Sequence, residues 1–185
     1  MPSRVQICNM ALGMIGAEPI TSLSLLDSEP VRKCNLYLDQ AIEEVLRLYP
    51  WNCASRLVAL AQLTETPAFK FGYCYSLPAD CLRALYPESS DITFKVYGSK
   101  LYTDESTFNL EYIAAIGVNE MDSLCRGAVI AKLAAYLAFA ISNSASLQEQ
   151  MEKLYEKALL KAAIADTQEG TPDVVDVDDF LLSRY

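Results

Sequence analysis

Apolar residues fall at helical spacing through the first third of the chain. Val5, Cys8, Leu12 and Ile15 recur every three or four positions, which puts them on one helix face. Ser3 suits the N-cap, and Gly16 followed by Pro19 suits the C-terminal end. Residues 21–26 read as a connector. A second helix opens at Asp27 or Ser28, with Pro30 tolerated in its first turn. Its stripe is Val31, Cys34, Leu38, Ala41 or Ile42, Val45 and Leu48, while Arg32, Lys33, Asp39, Glu43 and Glu44 fill the other faces.

This helix runs into a corner at Tyr49, Pro50, Trp51 and Asn52. Proline removes a backbone donor and biases the preceding tyrosine towards extended angles, so covalent chemistry imposes the break. Trp51, the sole tryptophan, has the apolar bulk to lock such a corner into a core. Asn52 is a suitable cap for a following helix. These four residues are read as a structural corner and not as a ligand site. Residues 55–63 fit either a helix or a buried strand. The spacing of Leu57, Leu60 and Leu63, three apart, favours helix.

From Thr66 the pattern changes. Pro67, Gly72, Pro78 and Pro87 punctuate the chain, and Phe69, Phe71, Tyr73 and Tyr75 cluster between them. Residues 73–77 read as a strand halted by Pro78, and residues 79–85 as one helical turn. Ile92, Phe94 and Val96 then alternate with Thr93, Lys95 and Tyr97. Gly98-Ser99 signals a two-residue hairpin, with its return strand at 100–103. Phe108, Leu110 and Tyr112 repeat the alternation after a turn at 104–106, which predicts an antiparallel meander of three or four strands. So small a sheet must rest on the helices.

Helical character returns at Asn119, read as a cap with Glu120 and Asp122 in the first turn. Residues 127–141 are apolar apart from Lys132 and Tyr136, too short a run for the roughly 18–20 residues of a membrane span. Such a helix belongs at the buried centre of a bundle. Ser146-Leu-Gln-Glu149 reads as a capping box. The last helix places Leu147, Met151, Leu154, Ala158, Ala162 and Ala165 on one face, pairs Glu149 with Lys153, and ends near Gly170 and Pro172.

The fold class expected is mainly α with a small antiparallel β lobe, an α+β arrangement. Residues 1–170 form one domain, with a helical bundle from 1–65 and 119–170 and a β-rich lobe from 66–118. Residues 171–185 form an extended acidic arm. Four aspartates lie there, interleaved with Val174, Val177, Phe180, Leu181 and Leu182 and closed by Arg184 and Tyr185. A segment that is acidic and apolar, without helical spacing, either frays or docks on a partner, and its apolar load favours docking.

Composition narrows the chemistry. The chain has 185 residues, a net charge of −9 and 52% hydrophobic residues. That charge disfavours gripping nucleic acid or an anionic membrane through a basic footprint. It suits a passage through which a polyanion slides. Histidine is absent, which removes the usual general base, the usual zinc ligand and every Ser-His or Cys-His nucleophile. The six cysteines contain no Cys-x-x-Cys pair, so neither a metal site nor a redox motif is expected. Cys8 and Cys34 fall on the apolar stripes of their helices, where a free cysteine behaves as a small hydrophobe, so reduced, intracellular folding is expected, and no signal peptide is expected at the N-terminus. Gly13-Met-Ile-Gly16 reads as packing or a cap rather than a phosphate loop. The acidic run Asp173, Asp176, Asp178 and Asp179 lacks the glycine and closing glutamate of a calcium loop. Glu43-Glu44 and Asp178-Asp179 read as solvated acids, though a glycosidase pair is defined in space and not in sequence.

Several stretches together resemble the bacteriophage tail tubular protein A family, the head-to-tail adaptors of short-tailed phages. They are Ile7-Cys-Asn-Met-Ala-Leu-Gly-Met-Ile-Gly-Ala-Glu-Pro-Ile, the block 43–61 around Tyr-Pro-Trp-Asn, Gly72-Tyr-Cys-Tyr-Ser-Leu-Pro-Ala-Asp-Cys-Leu-Arg83, and Ala165-Asp-Thr-Gln-Glu-Gly-Thr-Pro-Asp with the acidic arm after it. The resemblance implies a dodecameric ring in the virion neck, assembled in the host cytoplasm. Such a ring joins a portal protein to a tail tube or nozzle protein and lets DNA pass without specific binding. It implies no catalytic residue, no cofactor and no membrane, and it assigns arm residues Val174, Val177, Phe180, Leu181, Leu182, Arg184 and Tyr185 to contacts with neighbouring subunits or the portal. Two other classes remain open: a small tail-associated peptidoglycan hydrolase using an acidic pair, and a non-catalytic helical binding module.

Overall fold

The computed structural model describes residues 3–24, 28–89 and 91–169. Four helices and two small antiparallel sheets make up the α+β fold. The arm residues Val174, Val177, Phe180, Leu181, Leu182, Arg184 and Tyr185 lie outside the described residues.

Helix α1 (Arg4–Met14) starts at Ser3 with a full capping box, Ser3 and Gln6 each bonding the other's backbone N–H. It buries Ile7, Cys8, Ala11 and Leu12. Gly16 follows with φ +71, a left-handed angle that glycine takes without strain. Helix α2 (Glu29–Leu48) starts at Ser28 with Pro30 in its first turn, though the Ser28 side chain makes no capping bond. The expected stripe is buried except at its end, where Leu46 and not Leu48 turns inward. Leu48, the last residue of α2, is left 54% exposed.

Residues 55–63 form strands and not the helix that leucine spacing favoured. Strand β1 is Ser55–Ala59 and β2 is Ala61–Gln62. Leu57 is 84% exposed, so it does not belong to any buried helical face. The backbone decides the matter by pairing with distant partners, a tertiary preference that local periodicity does not carry. Strands β3 (Tyr73–Ser76) and β4 (Cys81–Pro87) follow. The second of these replaces the helical turn expected at 79–85. A turn in which the Cys81 N–H bonds the Pro78 carbonyl leads into it.

Strands β5 (Phe94–Tyr97) and β6 (Lys100–Thr103) form the expected hairpin, with Gly98 at φ +60 in the turn. Strand β7 (Asn109–Ala114) does not continue it as a meander. One sheet has the order β1-β7-β4 and the other β2-β3-β6-β5. The segment from β1 to β2 crosses between sheets at Leu60, whose N–H bonds the Phe108 carbonyl. An edge passed between two sheets is invisible to alternation, which reports only which face is buried.

Helix α3 (Ser123–Ser142) begins at Asp122 and not Asn119; the Asp122 carboxylate accepts from the backbone of Leu124 and Cys125. By length and composition it could cross a membrane, but 61% of its most apolar stretch is buried inside the protein, as befits a core helix. It packs against α1, α2 and helix α4 (Ala145–Thr167). Ser144, not Ser146, caps α4 through the Leu147 N–H. The buried face of α4 is Met151, Tyr155, Ala162 and Asp166, rotated from the expected one, and Leu154 is exposed. The rotation brings Tyr155 over a charge on α3, described below.

Leu133 is fully buried on α3 among the helices. Leu133→Ala is expected to lower unfolding free energy by about 2–5 kcal/mol, the usual range for a core cavity, measured by urea denaturation followed by circular dichroism.

Candidate functional site: the corner and the end of α4

The four corner residues come together as expected, and they have a partner that the sequence did not disclose. Tyr49 takes extended angles (φ −132, ψ 146) before Pro50. Trp51 is fully buried, and its indole N–H donates to the Val45 carbonyl at 2.8 Å, one of those left free at the end of α2. The Tyr49 and Trp51 rings lie 4.8 Å apart between centroids. Asn52 caps no helix after it. Its backbone N–H donates to both carboxylate oxygens of Asp166 at 3.1 and 3.2 Å, and its side-chain amide donates to the Asp166 carbonyl at 2.7 Å. The Tyr49 hydroxyl donates to the Ala163 carbonyl at 3.2 Å and lies 2.6 Å from the Thr167 hydroxyl. The corner therefore clamps the last turn of α4, after which the chain continues into the acidic arm. Burial raises the Asp166 carboxyl above its usual range, against the lowering effect of the Asn52 amide.

A second set of bonds ties the corner to the β lobe. Arg83 on β4 donates to the carbonyls of Arg47 and Leu48 at 2.9 and 3.5 Å, capping the negative end of α2. Arg47 in turn donates to the Leu82 carbonyl.

Next to Asn52, Cys53 meets the start of α3. Its thiol lies 3.9 Å from Asp122 Oδ2, and the ligating atoms of Cys53, Asp122 and Cys125 all fall within 4.8 Å of one another. Motif spacing could not find this group, because its members come from two distant stretches. All six cysteines are free thiols. Hydrogen bonding from Cys125 lowers the Cys53 thiol to about 7, while Cys125, as donor and by burial, is pushed up.

Deeper in the bundle, Lys132 of α3 is 8% exposed. Its ammonium pairs with Glu44 of α2 at 2.9 Å and Glu152 of α4 at 3.9 Å. It also lies 4.8 Å from the ring centroids of both Tyr136 and Tyr155. The Tyr136 hydroxyl donates to Glu44. Burial alone would raise the Glu44 carboxyl, but the bonds from Tyr136 and Lys132 overcome it and hold the carboxyl below its usual range. Of the Glu43-Glu44 pair, Glu44 is thus engaged inside the bundle while Glu43 faces outward, so the two acids do not face a common substrate.

The outer face of the sheet β1-β7-β4 carries Leu57, Glu111 and Tyr86 in register, with Leu57 84% and Tyr86 60% exposed. They line an open groove of 490 Å³ with Ala59, Glu88 and Asn109.

No protein-family model matches the chain, and no curated protein matches it.

Two carboxyls shift in opposite directions, and the pH dependence of stability separates them. Glu44 is lowered in the folded state, so its contribution is present above its unfolded pKa and is lost as pH falls through the folded one. Glu44→Gln is expected to flatten the acid limb of urea midpoints measured from neutral pH downward. Asp166 is raised, so the unfolded state binds fewer protons just above the ordinary aspartate pKa and stability falls as pH rises through that window. Asp166→Asn is therefore expected to cost less at neutral pH than in acid, in the same titration.

Proposed function

We propose that the chain is a ring-forming head-to-tail adaptor of a short-tailed bacteriophage, a structural protein that performs no chemistry. It joins a portal protein to a tail tube or nozzle protein in the virion neck, associates with copies of itself in a dodecameric ring, and assembles in the host cytoplasm. The observation that supports this reading most is that the stretches resembling the adaptor family hold one another. The corner residue Asn52 bonds Asp166 of the last stretch. Arg47 of the second stretch and Arg83 of the third exchange bonds across α2 and β4. Within the first stretch Asn9 bonds Ile20 in both directions, at 2.8 and 2.7 Å. Hydrogen bonds thus join the second stretch to the third and to the last within the fold.

Charge supports the same reading. A ring of subunits each carrying −9 repels the phosphate backbone, and DNA passes without being held. The corner holds the last turn of α4, and on this reading the arm, residues 171–185, contacts a neighbour or the portal. Exposed Leu57 and Tyr86 on one face, with Leu160 and Ile164 on α4, offer apolar surface for contacts between subunits.

The test is assembly. Mixed with its portal, the full chain is expected to give rings visible by electron microscopy and a matching mass by light scattering. Deleting residues 177–185 is expected to leave thermal unfolding unchanged and to weaken ring formation at least tenfold. Normal assembly of the truncated chain would overturn the role given to the arm. Clearing of purified peptidoglycan by the full chain, lost on substitution of an acid, would overturn the non-enzymatic reading.

A further inference from the structure

We propose that Cys53, Cys125 and Asp122 form a binding site for a thiophilic divalent cation of the zinc class, placed where the corner meets the start of α3. Independently of the adaptor reading, three features carry it. First, the spacing fits. A tetrahedral ion with metal–sulfur bonds near 2.3 Å and metal–oxygen bonds near 2.1 Å separates sulfur from oxygen by roughly 3.6 Å and sulfur from sulfur by roughly 3.8 Å. The Cys53 thiol lies 3.9 Å from Asp122 Oδ2, and all three ligand atoms lie within 4.8 Å of each other. Only small side-chain movements close the site.

Second, the carboxylate is already aimed. Asp122 Oδ1 accepts the N–H groups of Leu124 and Cys125 at 2.6 and 3.1 Å, which fixes the group and leaves Oδ2 towards the thiols. Amide bonds on the far oxygen are the support that metal-ligating carboxylates ordinarily have. Third, the surroundings are negative. The charges that bear on both thiols are those of Asp122 and Asp166, and Asp166 is itself buried beside Asn52. Arg56 is turned to the Cys53 carbonyl and to Glu120. A divalent ion would relieve this concentration of acids and thiols, the two thiols giving up their protons to solvent as sulfur–metal bonds form. Water completes the fourth position. The bound ion would bridge the corner to α3 within reach of the end of α4, and so brace the arm's root.

The experiment uses the full chain, reduced with a phosphine and freed of metal by a chelator. Cobalt(II) alone is the spectroscopic probe, and zinc sulfate is the competitor. Wild type is expected to give thiolate-to-cobalt charge-transfer absorption and strong tetrahedral visible bands, both abolished by zinc. Zinc is expected to raise Tm by about 5 °C at an excess of roughly 100 times Kd. Cys53→Ser, at a half-buried position, is expected to fold and to weaken binding by at least about 100-fold, with Cys125→Ser doing the same. Asp122→Asn keeps the helix cap, because asparagine caps as well as aspartate. It is expected to keep thiolate bands but to bind roughly 10–100-fold more weakly. Absence of the charge-transfer band in wild type would overturn the proposal. So would a band that survives Cys53→Ser and disappears in Cys34→Ser, because the ion would then sit at Cys8 of α1 and Cys34 of α2, two buried thiols that hydrogen-bond each other.

Discussion

A single ammonium inside the helical layer constrains most of this structure. Lys132 sits on a helix whose neighbouring positions Ile130, Ala131, Leu133 and Ala134 are all buried. Removing such a charge from water costs several kcal/mol unless partners replace the solvent. Glu44 and Glu152 supply the opposite charge from two different helices, and Tyr136 and Tyr155 supply two ring faces. A point charge with partners on three helices ties α2 and α4 to the same point on α3. Tyr155 shows how strictly geometry rules, since its ring covers Lys132 while its hydroxyl is the one buried side-chain polar atom without a hydrogen-bond partner among the described residues. An unpaired hydroxyl of that kind costs about 1–3 kcal/mol, and the fold carries it. The pair is better understood as fixing register than as adding stability.

Once α2 and α4 are set by that charge, the corner can do its work. Pro50 turns the chain at the end of α2, Trp51 fills the space beneath, and Asn52 arrives beside the last turn of α4. Helix ends fray because their carbonyls lack partners. Here the Asp166 carbonyl, already met by the Gln168 and Glu169 N–H groups, also accepts from Asn52, and the Ala163 carbonyl accepts from both Thr167 and Tyr49. The final turn is held by residues more than a hundred positions away.

Much of this was legible beforehand and some was not, for identifiable reasons. The Ser3 cap, the stripe of α2, the Pro50 break, the burial of Trp51, the Gly98 hairpin and the central place of α3 all depend on local chemistry or on a period set by one element. The strands at 55–62 were not legible, because three leucines at helical spacing mimic a face while β1 is specified by its pairing with residues 109–113. The split of the β region into two sheets escaped for the same reason: alternation says that β7 is a strand but not that it leaves the β5–β6 hairpin to pair with β1 and β4. Asp122 displaced Asn119 as the cap of α3, and Ser144 displaced Ser146 on α4, since several capping residues stood in a row and packing chose among them. Within the candidate site, Tyr49 to Asn52 were found, but Asp166 was not. An acid at the end of a polar helix looks solvated until the fold buries it.

The distribution of constraint bears on what such a body can do for a larger assembly. The lobe is tied to the helices by the Arg47 and Arg83 side chains, which donate to the Leu82 and Arg47 carbonyls. The helices are held by a core that admits one arrangement of Lys132. No glycine among the described residues, apart from Gly16 and Gly98 in their turns, takes a backbone angle reserved to that residue type. Close-packed interiors are stiff. On the adaptor reading that stiffness is the useful property: a subunit wedged between a portal and a tail must keep the spacing of its contacts while a long polyanion passes. Adaptation to a partner then falls to surface rows such as Leu57 and Tyr86 and to the sequence beyond Glu169. In that sequence four aspartates are interleaved with valine, phenylalanine and leucine.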